Sequence, residues 1–161
     1  MLLGACAISA HAVDVADSAH AELLKSPAQA QFVASPGVPE CTRSKLLRGD
    51  PGKGPSSILV KMEGGCVVPW HWHSASEELL ILSGTVIGQM RGESSFQLGA
   101  KGYVGMPAHH VHRFKCATGA SCTVFVVLDA AFDLHFVDAS DQSLNLEQAL
   151  AADRESKGKG W

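Results

Sequence analysis

Residues 65–84 read GCVVPWHWHSASEELLILSG, and two histidines separated by a single residue lie near their centre. On a β-strand, residues i and i+2 point to the same face, so a strand here aims His71 and His73 into one pocket. Glu77 and Glu78 follow after a short bend and open the next apolar run. Imidazoles with a neighbouring carboxylate are typical ligands of divalent first-row metals.

A second histidine cluster lies further along the chain, in the stretch Pro107-Ala-His109-His110-Val-His112-Arg-Phe114. Pro107 ends one strand-like run and His112 lies in the next, so a third imidazole can meet the first two. A histidine taken alone is more often a surface residue or a satisfied core residue than a ligand. The combination of His-x-His, a nearby acid and a later histidine is what favours a metal site.

The first cluster resembles the first motif of the cupin superfamily, G(X)5HXH(X)3,4E(X)6G. Every spacing of that motif is matched, by Gly65, His71, His73, Glu77 and Gly84. This motif is specific, because five residues of defined type must coincide with four defined gaps.

The second cluster resembles the second cupin motif, G(X)5PXG(X)2H(X)3N, less completely. Pro107 and His112 match in position. Lys101 stands at the leading glycine, His109 at the glycine after the proline, and Cys116 at the final asparagine. The motif is degenerate, but its histidine ligand is present.

The resemblance spans residues 40–138 and implies a small single-domain cupin, an all-β jelly roll or β-barrel with a metal in its mouth. Transferred position by position, the metal ligands are His71, His73, Glu77 and His112. Glu78 also satisfies the variable spacing of the first motif. It leaves five residues before Gly84 instead of six, so the spacing favours Glu77.

The neighbours of these ligands are further candidates for a place beside the metal or along the pocket. They are Glu78, His109, His110, Trp70, Trp72 and Phe114. For His109 and His110 the alternative is an exposed loop. For Trp70 and Trp72 it is ordinary sheet packing, and Phe114 fits the barrel interior.

The implied cofactor is one divalent first-row metal ion, Fe, Mn, Ni, Cu or Zn, since all of them accept imidazole and carboxylate ligands. Four protein ligands leave about two positions of an octahedral ion open. We therefore expect a metal-dependent enzyme of the dioxygenase type that acts on a small molecule. The alternative is a non-catalytic module that binds a metal or small ligand, as sensor-type cupins attached to regulators do.

Composition excludes several other classes of protein. Of the 161 residues, 46% are hydrophobic and 18% are charged, which is a globular composition. The net charge is −3 and no stripe of Lys or Arg occurs, so we expect no nucleic-acid partner. No apolar stretch approaches the ~20 residues that span a bilayer. A homodimer stays open as an alternative to a monomer.

The Gly, Pro, Ser and Asp residues that separate the apolar runs indicate how the chain is organised. The expected parts are a signal peptide over 1–12, an N-terminal extension over 13–39, the cupin domain over 40–138, and a helix with a tail over 139–161. Short helices are predicted around Asp17–Lys25 and over Leu144–Arg154. Eight strand-like runs lie between them: Lys45–Arg48, Ser57–Met62, Glu78–Leu82, Thr85–Met90, Gly102–Met106, Val111–Lys115, Cys122–Leu128 and Phe132–Val137.

The first residues, MLLGACAISAHA, are apolar and end in Ala10-His11-Ala12, which is typical of a signal-peptidase site. A lipidated Cys6 and a buried N-terminal segment are the alternatives. We therefore expect a periplasmic or secreted protein, with a cytoplasmic one as the alternative.

Four cysteines remain if that segment is removed: Cys41, Cys66, Cys116 and Cys122. An even number in an exported protein permits disulfides. A hairpin would place Cys116 and Cys122 opposite each other, whereas buried free thiols are the alternative.

Overall fold

The computed structural model describes residues 31–156. The predicted signal peptide, the predicted helix at 17–25 and the tail after residue 156 lie outside the described residues. Within residues 31–156, no helix is long and apolar enough to cross a bilayer.

Eleven strands and one helix make up the described part of the chain. They are β1 (Thr42–Gly49), β2 (Ser56–Met62), β3 (Val67–Trp72), β4 (Glu77–Ser83), β5 (Val86–Met90), β6 (Phe96–Leu98), β7 (Tyr103–Met106), β8 (His112–Cys116), β9 (Cys122–Leu128), β10 (His135–Val137), β11 (Ser143–Leu144) and α1 (Leu146–Ser156). One antiparallel sheet has the order β1-β2-β9-β4-β7, and the other has the order β11-β10-β3-β8-β5-β6. The predicted all-β fold with a C-terminal helix is confirmed.

Three strands, β3, β6 and β11, lie outside the eight predicted runs, and Leu144 of β11 was instead predicted to start the helix. β3 contains Pro69, which argues against a strand because the proline nitrogen cannot donate a hydrogen bond to the sheet. The structure accommodates it at an irregularity, since the pairing of β3 with β8 shifts register between Val68 and His71. β6 has three residues, too few to show an alternating pattern.

The apolar core lies between the two sheets, where alternate side chains point inward. On β9, Cys122, Val124, Val126 and Leu128 are all buried, while the residues between them are partly exposed. Phe114 is buried in the same core, as the sequence suggested. Each such side chain contributes about 1.5–3 kcal/mol when it is withdrawn from water.

Two disulfides close the end of the barrel where β3 begins and β8 ends. They join Cys41 to Cys66 and Cys116 to Cys122. The hairpin expected for the second bridge is wrong, because β8 pairs with β3 and β5 whereas β9 pairs with β2 and β4. The bridge therefore joins the two sheets across a turn that leads from one to the other.

The helix α1 begins at a capping box. Asn145 Oδ1 accepts a hydrogen bond from the Gln148 amide at 2.9 Å, and the Asn145 amide donates to Gln148 Oε1 at 2.9 Å. It starts two residues later than predicted because Leu144 pairs with Phe136 in the sheet. A buried ion pair of 3.8 Å between Arg113 and Asp153 ties α1 to β8.

The two glycine positions missing from the second motif keep a glycine-like backbone. Lys101 has a φ of 72° and His109 a φ of 62°, both in the left-handed region. Gly84, the last position of the first motif, also has a positive φ, and a Cβ there would meet Ser121 O at 2.7 Å. The turn geometry of the motif is therefore present even where its glycine is absent.

Candidate metal centre

Three imidazoles meet at the end of the barrel opposite the disulfides. His71 lies at the end of β3, His73 directly follows that strand, and His112 opens β8. His71 and His112 are cross-strand partners in the register of the sheet. One ring nitrogen from each of the three residues lies within 4.8 Å of the others, and all three side chains are buried.

Backbone carbonyls fix the orientation of each ring. His71 Nδ1 donates to Pro69 O at 2.6 Å, His112 Nδ1 donates to His110 O at 2.7 Å, and His73 Nδ1 donates to Asp133 O. Because a carbonyl oxygen only accepts, each Nδ1 carries the proton and each Nε2 is left with a lone pair when the ring is neutral. This second layer of hydrogen bonds is the usual way in which a metal-binding histidine is held.

Glu77 brings its carboxylate to two of these rings. Its Oε2 lies 3.5 Å from His112 Nε2 and 3.7 Å from His73 Nε2. Glu78, the alternative by spacing, points to the outer face, because burial alternates along β4. The motif spacing favoured Glu77, but alternation along the sequence could not separate the two, since both faces of Leu79–Leu82 are apolar.

Burial and neighbouring groups shift the pKa values of two members of this cluster, His71 and Glu77. Burial lowers the pKa of His71 well below its usual range, and the charges of His112 and His73 lower it further. Burial would raise the pKa of Glu77, but its contact with His112 and the charge of His73 outweigh that effect and lower it. At neutral pH the centre therefore holds a neutral His71 beside an ionised Glu77.

His112 Nε2 supplies the test of whether a metal fits. It is buried and has no hydrogen-bond partner among residues 31–156. Leaving a buried polar atom unpaired costs about 1–3 kcal/mol, so such an atom needs an explanation. Its position beside the His71 and His73 rings and Glu77 fits the coordination of a divalent ion.

Two residues of the site were not identified from the sequence, and both lie in the β9–β10 loop. Phe132 places its ring 5.3 Å from that of His73, and Asp133 supplies the carbonyl that orients His73. Partial burial would raise the pKa of Asp133, but hydrogen bonds from Ser74 and His135 outweigh it and lower the pKa to about 2. Asp133 lies 60 residues from its partner, so no local pattern could indicate the contact.

The two tryptophans do not form the pocket wall that was one of their two interpretations. Trp70 lies on the outer face of its sheet, with the guanidinium groups of Arg91 and Arg113 4.6 and 4.7 Å from its ring. Trp72 stacks on His135, with ring centres 4.0 Å apart. Because side chains alternate along a strand, the inward placement of His71 turns both indoles outward.

The remaining candidates divide between the cavity and its surroundings. Phe114 lines the cavity, and its ring lies 5.3 Å from that of His112. His110 contributes its carbonyl oxygen to His112, whereas His109 is exposed and its ring lies 4.9 Å from that of Trp72. Glu78, His109 and His110 are not among the cavity-lining residues.

A cavity of about 440 Å³ opens beside the cluster and reaches His71, His73 and Glu77. Apolar side chains from both sheets form most of its wall. Val33, Pro36 and Val38, which precede β1, add to its lining. The cavity is large enough for a small organic molecule.

The sequence of the chain matches the family model described as the ChrR cupin-like domain, over residues 20–131. The chain belongs to this cupin family. The comparison with curated proteins gives no match.

Solved structures share the fold at low sequence identity. An RmlC-like cupin from Ralstonia eutropha JMP134 is 17% identical, with a TM-score of 0.60, over 84% of this chain and 87% of that one. The polyketide cyclase RemF from Streptomyces resistomycificus is 18% identical, with a TM-score of 0.55, over 73% and 79%. The DMSP lyase DddQ from Ruegeria pomeroyi DSS-3 is 24% identical, with a TM-score of 0.54, over 63% of this chain and 57% of the lyase. These identities establish the fold alone.

Proposed function

We propose that this cupin is a metal-dependent enzyme of the dioxygenase type that acts on a small molecule. The observation that carries the proposal is the convergence of three oriented Nε2 atoms and the Glu77 carboxylate at the edge of an apolar cavity. His71, His73, Glu77 and His112 would hold the ion. A divalent metal there would supply a Lewis acid and, for Fe, Mn, Ni or Cu, a redox centre.

The residues of the chain would perform three separate tasks. The carbonyls of Pro69, His110 and Asp133 keep each Nδ1 protonated, so each ring presents Nε2 to the centre. Glu77 supplies the negative charge that offsets a divalent ion. Phe114 and Phe132 line the cavity beside the cluster and would limit its contact with water, which would strengthen electrostatic interactions there.

A non-catalytic module that binds a metal or small ligand is the second candidate, and one observation favours it. Among the described residues that line the cavity, the ionisable side chains are His71, His73, Glu77 and Arg43. The first three are needed for the metal. No further side chain of this lining is therefore placed to act as a general acid or base, which a binding module does not require.

Oxygen uptake separates the two functions. We would load the protein anaerobically with Fe(II) and, in parallel, with Mn, Ni, Cu or Zn, and screen catechols, flavonols, β-diketones and thiols with an oxygen electrode. Uptake that requires a redox metal and disappears in the His112→Ala variant would establish catalysis. Absence of uptake with every metal, together with saturable binding that raises the melting temperature, would establish the binding module instead.

We further propose that the protein works in the periplasm or outside the cell, because its two disulfides persist in oxidising compartments. Fractionation of cells that produce the full chain, followed by thiol labelling, tests this. A cytoplasmic protein in which Cys41, Cys66, Cys116 and Cys122 all react as free thiols would contradict the proposal.

A further inference from the structure

The cavity extends far from the metal cluster along the barrel. Leu128, Val126 and Val124 on β9 all line it, and Leu128 is the cross-strand partner of Glu77. Four residues of strand cover about 13 Å. Ile58 and Met62 on β2 line the same stretch, so the cavity is elongated along the strands.

The hydroxyl groups in this lining are already engaged. Ser35 Oγ and Ser44 Oγ share a hydrogen bond of 2.5 Å, and Thr42 Oγ1 donates to Pro39 O at 2.7 Å. A ligand that reached them would have to compete with a bond already made. These groups therefore give a polar ligand little to bind.

Among the described residues that line the cavity, side chains with a fixed charge lie at two places. Glu77 belongs to the metal cluster, whereas Arg43 is exposed and its Nη1 donates to the carbonyls of Glu40 and Thr42. A charged group between these two places would be buried among aliphatic side chains without a partner. Burial of an unpaired charge is strongly unfavourable, so the middle of the cavity excludes it.

We infer that the ligand of this cavity is an elongated, uncharged and mainly apolar molecule with metal-chelating oxygen atoms at one end. The chelating end would lie at the His71–His73–Glu77 edge, and the apolar end would lie toward Val124. The inference rests on the proposed metal site, and it names the substrate class of that same site. It disfavours short or multiply charged substrates, because the apolar wall would give them no binding energy.

A series of alkyl hydroxamates tests this inference by isothermal titration into the Zn(II)-loaded protein, which needs no turnover. Hydroxamates of two to ten carbons carry the same chelating group and differ only in chain length. We expect each added methylene to tighten binding about fourfold until the cavity is filled. A hydroxamate of equal length with a terminal ammonium group, which Arg43 would not neutralise, should bind at least about tenfold more weakly. Affinity independent of chain length, or equal for the charged tail, would overturn the inference.

Two variants and a control locate the effect. Val124→Phe fills the apolar end and should end the gain in affinity at shorter chains; Val60→Phe, its cross-strand neighbour, serves the same purpose if the first does not fold. Val127→Phe on the outer face of β9 is the matched control and should leave the series unchanged. An unaltered series in a folded Val124→Phe or Val60→Phe protein would place the apolar chain elsewhere and contradict the inference.

The metal-free protein separates this inference from the proposed function. Straight-chain alcohols of four to eight carbons should raise its melting temperature increasingly with length, and Val124→Phe should reduce that rise. If the alcohols show this length dependence while acetohydroxamate does not bind the Zn(II)-loaded protein, that result would contradict the proposed metal site and support the apolar ligand cavity. If acetohydroxamate binds but neither series depends on length, the metal site stands and the substrate class is wrong.

Discussion

The two ends of the barrel are built by different means. At one end, two disulfides close the structure, and Cys116 and Cys122 are fully buried. Backbone hydrogen bonds reinforce it, from Gly65 N to Cys116 O and from Cys116 N to Cys66 O. At the other end, each of three imidazoles donates a hydrogen bond to a backbone carbonyl. Covalent cross-links and the candidate metal-binding groups therefore occupy opposite ends of the same strands.

This difference indicates a division between stability and chemistry. Strands β3 and β8 each carry a cysteine at or beside one end and a candidate histidine ligand at or near the other. The cross-linked end fixes the spacing of the two strands, and the loops at the open end remain available to adjust around a ligand. A change at one end should therefore affect one property and leave the other nearly intact.

The largest expected effect comes from opening the disulfide end. Replacing Cys41 and Cys66 together by Ala removes a bridge across 25 residues, which the loop-closure relation values at about 3.5 kcal/mol of unfolding free energy. Chemical denaturation should show this loss, and the metal affinity of the folded variant should change by less than about threefold, given that the bridge is remote from the ligands. A large loss of metal affinity would show that the two ends are coupled.

Removing an imidazole should give the opposite result. We expect His112→Ala or His73→Ala to weaken metal binding by at least about 100-fold, because loss of a direct ligand should exceed the effect of its supporting contacts. Added metal should then no longer raise the melting temperature. His110→Ala is the matched control, since it keeps the carbonyl that orients His112. Retained affinity in both ligand variants would exclude the proposed centre.

A smaller effect should distinguish the two adjacent glutamates. Glu77→Gln removes the negative charge beside His73 and His112, and we expect metal affinity to fall about tenfold or more. Glu78→Gln changes an exposed side chain of the outer face and should leave affinity unaltered. Competition with a chelator of known affinity measures both. An effect of Glu78→Gln alone would reverse the assignment of the carboxylate.

The smallest effect concerns the residues of the second motif that have a left-handed backbone conformation. Lys101→Gly relieves about 1 kcal/mol of backbone strain at a φ of 72°, and the greater freedom of glycine in the unfolded chain offsets part of it. We expect a net gain of about 0.5 kcal/mol in thermal unfolding. Lys101→Ala keeps the strain and should give no such gain, so equal stabilisation by both variants would reject this explanation.

Local patterns predicted much of this architecture. Cys122–Leu128 was predicted as a strand-like run, and the i, i+2 placement of His71 and His73 follows from the geometry of a single strand. The spacing of Cys116 and Cys122 suggested a disulfide between them, and the bridge is present. The hairpin expected to bring them together is absent from the described sheets, because strand pairing depends on the whole sheet. A sequence pattern therefore predicts contacts between residues close in the chain better than contacts between distant strands.

What could not be predicted depends on the backbone and on distant contacts. Pro69 concealed β3, since the irregularity that accommodates it has no sequence signature of its own. The carbonyl of Asp133 could have come from any residue type at that position. Only the three-dimensional structure shows that Glu77 faces the cluster and Glu78 does not.

The placement of the disulfides has a consequence for how this protein can evolve. Together the two bridges represent about 5–6 kcal/mol by the loop-closure relation, comparable to the entire net stability of many domains. Substitutions around the cavity that cost 1–2 kcal/mol would therefore leave the chain folded. Descendants of this sequence could sample new linings, and hence new ligands, before natural selection for folding removed them.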